Sequence, residues 1–227
     1  MYLFEKLKRF LPSQYKYLNS SYSQEGEDIL LQRLFSDQRY GFYVDVGAHH
    51  PVRFSNTFAL YKKGWTGINI EPNPDMYSLF KKNRPRDINV NCGVDAINGT
   101  LEYYMFNEPA LNTFDPDLVK SRLSNTTYFV NKTIQIEVHP LSELLEQFAP
   151  KNRKIDFLSV DVEGLDLNVL MSNNWAKFRP QYLLAEQLEL ESIENLDFPI
   201  HHYMKSVDYQ AKFRTYNTII YKDSRSS

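Results

Sequence analysis

Tyr43-Val44-Asp45-Val46-Gly47-Ala48, followed by Thr66-Gly67-Ile68-Asn69-Ile70-Glu71-Pro72, decides how this chain folds. Each stretch is a short apolar run that ends on chemistry. The first ends on an acid, a glycine and a small residue, the second on a glutamate. The segment between them reads as one helix, with Ser55 as N-cap and Gly64 as the glycine that stops it. Strand, helix, strand is the unit of a parallel sheet, because parallel neighbours need a crossover.

Open parallel sheets take their ligands beyond the carboxyl ends of the strands. Gly47, just past the first strand, lets a ligand approach the backbone. Glu71 can accept from both hydroxyls of a ribose, and it follows Gly47 by 24 residues, near the spacing of about 20 for a ribose-binding acid. The plainer alternative is a strand-end acid solvated in a loop. A nicotinamide dinucleotide would want G-x-G-x-x-G to cradle its pyrophosphate. Here the turn is Gly47-Ala48-His49-His50-Pro51, without the second and third glycines. The turn suits an adenosine ligand with no phosphate and a charged amino-acid end. S-adenosylmethionine is such a ligand, and Asp45 can hold its ammonium directly or through water.

At 227 residues the chain is long enough for one full core. The expected organisation is an N-terminal extension over 1–19, a main domain over 20–222 with 107–131 as a substrate lid, and a polar tail over 223–227. A net charge of −2 gives no basic excess for nucleic acid. The single cysteine, Cys92, excludes an intrachain disulfide framework and a Cys-cluster zinc site, and fits a reducing, cytoplasmic setting. No apolar run approaches the roughly 18 residues that span a bilayer, and no secretory signal is legible. Residues 1–12 place Leu3, Phe4, Leu7, Phe10 and Leu11 on one helical face. That face suits packing on the domain or on a second subunit, as in a homodimer. A peripheral contact with the inner membrane surface is the alternative.

Further helices are expected over Ser20–Phe35, with its polar start near the cofactor mouth, after Asn73-Pro74, and behind Pro140. Ile88–Val94 reads as a third strand, whose end would place Val94 against an adenine ring and Asp95 at its amino group. Asn98-Gly99 is a turn into a strand to Phe106. Residues 107–131 read as irregular, Thr133–Val138 as a strand, and 213–222 as one terminal antiparallel strand. Tyr103, Tyr104, Phe106 and Phe114 can line an acceptor groove or simply fill core.

Ile155-Asp156-Phe157-Leu158-Ser159-Val160-Asp161-Val162-Glu163-Gly164 is the second focus. As a strand it puts Asp161 and Glu163 on one face. Neighbouring carboxylates can share a metal, or one can have its pKa raised and serve as a base. They can also be helix-entry acids that satisfy backbone amides. Pro180–Gln187 gives a further strand that ends at Glu186.

The blocks Ser23-Gln24-Glu25-Gly26-Glu27-Asp28, Tyr43 to Pro51, Ser55-Asn56-Thr57, Gly64 to Pro74 and Asp161-Val162-Glu163-Gly164-Leu165-Asp166 resemble, in that order, the FkbM-type methyltransferases. The resemblance runs from about residue 20 to 190. It implies an α/β Rossmann-like class I methyltransferase fold: a mostly parallel seven-stranded sheet with helices on both faces and an antiparallel last strand. It implies S-adenosylmethionine as donor and O-methylation of a hydroxyl, in this family usually on sugars of surface polysaccharides or on small metabolites. Many members carry a second glycine shortly after Gly47, where this chain has His49-His50-Pro51.

Together these readings give the donor site as Asp45, Gly47, Ala48, Ser55, Asn56, Glu71, Pro72, Val94, Asp95 and Asp161. The candidate bases are Asp161, Glu163 and His49, the histidine having the best unperturbed pKa at about 6.5. No metal is expected. If a divalent ion does the activating, Asp161, Glu163 and Glu186 would hold it. Two rivals stand beside this: a non-catalytic glycan-binding or assembly subunit that keeps the fold, and an oxidoreductase on a similar sheet.

Overall fold

The computed structural model describes residues 17–124, 127–187, 192 and 196–225. The amphipathic segment expected over 1–12 lies outside the described residues. A central sheet of seven strands is built from β1 (Phe42–Val46), β2 (Thr66–Ile70), β3 (Ile88–Val90), β7 (Phe157–Val160), β8 (Tyr182–Glu186), β9 (Tyr209–Arg214) and β10 (Thr218–Asp223). Its order is β3-β2-β1-β7-β8-β10-β9. The first five run parallel, and β10 runs antiparallel to both neighbours. This is the Rossmann-like methyltransferase architecture expected from the sequence.

β1 is buried along its whole length, as a parallel strand covered on both faces must be. Phe42, Val44 and Val46 point into one apolar layer with Leu158, Val160 and Leu183. Tyr43 points into the other, with Trp65, Phe157 and Leu184. Each such aliphatic or aromatic side chain contributes roughly 1.5–3 kcal/mol by leaving water. Asp45 lies on the Tyr43 side by the two-residue alternation, opposite Asn69 on β2 and Ser159 on β7. The acid is thus set among polar partners at the sheet's edge of chemistry.

Several boundaries differ from the sequence reading. The helix after β1 is only α2 (Phe58–Lys62); Ser55 stands three residues ahead, its Oγ accepting from Phe58 N at 3.1 Å. Gly64 does end that segment, at φ +101°. The Ser20–Phe35 helix shortens to α1 (Glu27–Leu34), because Ser21, Tyr22 and Ser23 wrap onto the buried Asp28 carboxylate. The strand expected over Ile88–Val94 is two strands. β3 stays in the central sheet, and β4 (Gly93–Val94) leaves it to join β5 (Gly99–Phe106) and β6 (Val130–His139) in a second, three-stranded sheet.

The described residues of 107–131 are more regular than expected. They hold a 3₁₀ turn at Pro109–Leu111 and α4 (Pro116–Leu123), α3 being Pro74–Asn83. Pro109 and Pro116 sit in the first turn of these elements, where their missing N–H costs nothing. Asp115 caps α4 through Asp117 N at 2.7 Å. The single strand expected over 213–222 is the β9–β10 hairpin, whose two arms both alternate and so merge in a pattern of period two. α5 (Leu141–Phe148), α6 (Asp166–Met171) and α7 (Pro199–Ser206) complete the layers. Among the described residues no helix is long and apolar enough to cross a membrane.

Candidate active site

A cleft opens at the carboxyl ends of β1, β2 and β7 and encloses about 820 Å³ including its mouth. Asp45, Gly47, Ala48, His49, Asn56, Glu71, Pro72, Val94, Asp161 and Glu163 all line it. Two expected donor-site residues do not. Ser55 is buried beneath the α2 entry, and Asp95 lies outside the lining, where it accepts from Asn168 Nδ2 at 3.1 Å. Of the four aromatic groove candidates, Tyr103 and Phe114 line the cleft, their rings 4.7 Å apart. Tyr104 and Phe106 do not; Phe106 is core. Gln24, from the polar stretch before α1, reaches the mouth as expected.

The turn after β1 is set by Gly47. It sits at φ +75°, and a Cβ there would fall 1.8 Å from the Asp161 carbonyl oxygen. The absence of a side chain therefore lets the β1 and β7 ends close against each other. Gly47 and Ala48 both donate to Ile70 O, at 3.0 and 3.2 Å, which ties the turn to β2. His49 follows at φ +54°, and its amide donates to Glu71 Oε2 at 2.7 Å. Asn73 N donates to Glu71 Oε1 at 2.8 Å. Burial pushes Glu71 up to about 8, with these two amides pulling the other way. A carboxylate has about four lone-pair sites, so two bonds leave room for a pair of ligand hydroxyls.

Asp45 is 5% exposed. Thr57 Oγ1 donates to its Oδ2 at 2.9 Å. Burial pushes Asp45 up to about 6, opposed by Thr57 and by the Arg84 guanidinium.

The third group is acidic. Asp161, Glu163 and Glu186 each place a carboxylate oxygen within 4.8 Å of the others. They do not meet through strand alternation: β7 stops at Val160, and Glu163 is turned by a left-handed backbone at φ +56°. Asp161 Oδ1 is buried without a hydrogen-bond partner. Burial, then the Glu186 and Glu163 charges, hold Asp161 well above the usual carboxylate range. Burial and the Glu163 charge take Glu186 up to about 8. Glu163 is also raised by burial, but Arg122 pairs with it and opposes the rise. Arg122 also donates to Leu111 O at 2.6 Å, and Thr113 Oγ1 donates to Glu163 O at 2.7 Å. The 109–123 insertion is therefore fastened to the acidic turn. Three carboxylates and one guanidinium hold either protons or a cation.

His49 differs from the expected base. Burial, then Arg53, lowers its ring to about 4, so it is neutral near pH 7. Its Nε2 is buried without a hydrogen-bond partner. Arg122 and Thr57 were not picked out as functional from the sequence. Arg122 carried no local signal, because its role depends on how the insertion folds over the turn. Thr57 stood in a quoted block, but its partner Arg84 lies 27 residues away.

Comparison with curated proteins returns no match. The Methyltransferase FkbM domain matches residues 45–211, from the acid of β1 to the middle of β9, and so spans β2, β7, the acidic turn and β8. The sheet order, the strand-end acids and this match agree: the chain belongs to the FkbM methyltransferase family.

Proposed function

We propose that this protein uses S-adenosylmethionine to methylate a hydroxyl of a sugar or glycan, as in surface polysaccharide biosynthesis, or of a related small metabolite. The observation that carries the reading is one cleft holding both a ribose-type acid, Glu71, and an unpartnered buried carboxylate oxygen on Asp161. The residues fit the donor. Glu71 has lone pairs left for two ribose hydroxyls. Asp45 offers a carboxylate to an ammonium, Val94 an apolar wall for the base, and the Gly47 turn has no pyrophosphate cradle.

When bound, S-adenosylmethionine supplies an electrophilic methyl group. The chain's residues then have three tasks. They hold the acceptor hydroxyl in line, which can be worth ~7–11 kcal/mol. They accept its proton, a role for which the unpartnered Oδ1 of Asp161 makes it the leading candidate. They exclude water, for which the 109–123 insertion, held by Arg122 and Thr113, covers one wall. Tyr103 and Phe114 offer ring faces on which a sugar can stack.

The first test is calorimetric titration with S-adenosylhomocysteine, with and without a chelator. Micromolar binding that ignores the chelator is the expected result. No binding would favour the non-catalytic subunit, and NAD binding in its place would favour an oxidoreductase. Binding lost to chelator would put an ion on Asp161, Glu163 and Glu186. Glu71→Ala is expected to weaken binding about 10–100-fold by removing two ribose hydrogen bonds, together worth roughly 1–3 kcal/mol. Unchanged affinity in a folded Glu71→Ala protein would remove the ribose assignment.

A further inference from the structure

The block Ser55-Asn56-Thr57 is only partly used by the cleft, since Asn56 alone of the three lines it. Its other contacts run behind Asp45. Arg84 is fully buried and inserts its guanidinium among Tyr61, Phe58 and Phe80, 4.7, 5.3 and 5.8 Å from their ring centres. Its Nη2 donates to Thr57 Oγ1 at 2.5 Å, while Nε and Nη1 have no hydrogen-bond partner. A hydroxyl that receives one hydrogen bond has its own proton free to give. Thr57 gives it to Asp45 Oδ2 at 2.9 Å. The same logic repeats on the other side. Asn56 Nδ2 donates to Ser159 Oγ at 3.1 Å, and Ser159 stands opposite Asp45 in the β1–β7 register, where its hydroxyl favours the ionised acid. Two hydroxyls are thus oriented from behind, each by a donor that cannot accept.

We propose that Thr57 with Arg84, and Asn56 acting through Ser159, are positioning residues that keep Asp45 ionised and aimed for the cationic amino-acid end of the methyl donor. The identity of that cation rests on the proposed function; the relay itself does not. Arg84 Nε lies 3.7 Å from Asp87 Oδ2, a fully buried ion pair, and two of its nitrogens still lack a hydrogen-bond partner, which is costly for stability alone. Arg84 is intelligible as a fixed positive charge one hydroxyl away from an acid that must stay charged. Other groups also act on Asp45: Asp87, beside Arg84; Glu71 at the end of β2; Asp161 at the end of β7; and the Tyr43 hydroxyl on β1.

Thr57→Val keeps the shape and removes the relay; Thr57→Ser restores the hydroxyl. The first arm needs no ligand and follows the melting temperature of the free protein from pH 5 to 9. An acid whose folded pKa lies above its unfolded value loses stability as pH rises between the two, and the full cost is present above the higher one. Asp45 has this sign, so Thr57→Val, by raising Asp45 further, should extend the loss to higher pH. The deficit against wild type should widen from pH 6 to 8 and become flat when Asp45→Asn is added to both proteins. A deficit equal at every pH, or one that still widens with Asp45→Asn, would overturn the relay. The second arm titrates S-adenosylhomocysteine. Thr57→Val should bind about tenfold more weakly at pH 7, with most of the loss recovered at pH 9 and at all pH values in Thr57→Ser. A pH-independent loss, or none, would overturn the aiming of Asp45 at the donor. If wild type itself fails to bind, the proposed function falls together with that aiming, and the melting arm still decides the relay.

Discussion

Gly47→Ala is expected to destabilise the protein by about 3 kcal/mol or more and to abolish binding of S-adenosylhomocysteine. Two effects add. The backbone at φ +75° is one that an L side chain adopts only with strain, at about 1–3 kcal/mol. The new Cβ would also meet the Asp161 carbonyl oxygen at 1.8 Å, and that carbonyl belongs to a backbone whose amide already donates to Val46 O at 3.0 Å. Neither side can yield cheaply, because β1 and β7 are adjacent, fully buried strands of one sheet. Relief must come from parting the turn after β1 from the turn after β7, which moves Asp161 and the donor-site backbone together. Thermal melting reads the first effect and calorimetry the second. A stable Gly47→Ala protein that still binds the ligand would show that the close approach of the two turns is not required.

That close approach marks the limit of what the sequence discloses. The strand ends were legible because each carries its own local pattern: an apolar run, then an acid or a glycine. Asp45, Gly47, Glu71 and Asp161 could be placed in one cleft because parallel strands in one sheet end at the same edge. The alternating pattern over 213–222 and the family resemblance both pointed to an antiparallel final strand, but the pattern merged β9 and β10 into one. Asp95 went astray because Val94 and its neighbours leave the central sheet after β3, and nothing local announces that departure. His49 had a suitable unperturbed pKa, but burial is a property of the folded turn and lowers it to about 4. Arg122 and Arg84 escaped for a common reason. Each acts on a residue 27 or more positions away, Arg84 on Thr57 and Arg122 on Glu163, across elements whose packing no periodicity encodes.

The choice of base has the second large expected effect. Asp161→Asn should lower single-turnover methyl transfer by about 10²–10⁴-fold, the range for a lost general base, while S-adenosylhomocysteine affinity changes far less. Three features separate Asp161 from the other candidates. Its Oδ1 is free, whereas Glu163 is already held by Arg122. It is raised by burial and by its acidic neighbours, Glu186 and Glu163 foremost, which strengthens it as a base. His49, at about 4, is a weaker proton acceptor by the same measure. His49→Asn is the fair comparison, because Asn tolerates the left-handed backbone that His49 adopts at φ +54°. It should cost far less than Asp161→Asn. Glu163→Gln should fall between the two, since it leaves Arg122 without its counter-charge. The pH profile adds a sign. A base must be ionised, so the wild-type rate should climb with pH through the raised Asp161 value. Glu186→Gln removes a like charge beside Asp161, so the climb should move to lower pH. A Glu163→Gln loss larger than that of Asp161→Asn, or a climb unmoved by Glu186→Gln, would transfer the proton to another group. The chelator control keeps that conclusion separate from an ion on the same three carboxylates. An ion would make all three substitutions fail together and return activity with added metal.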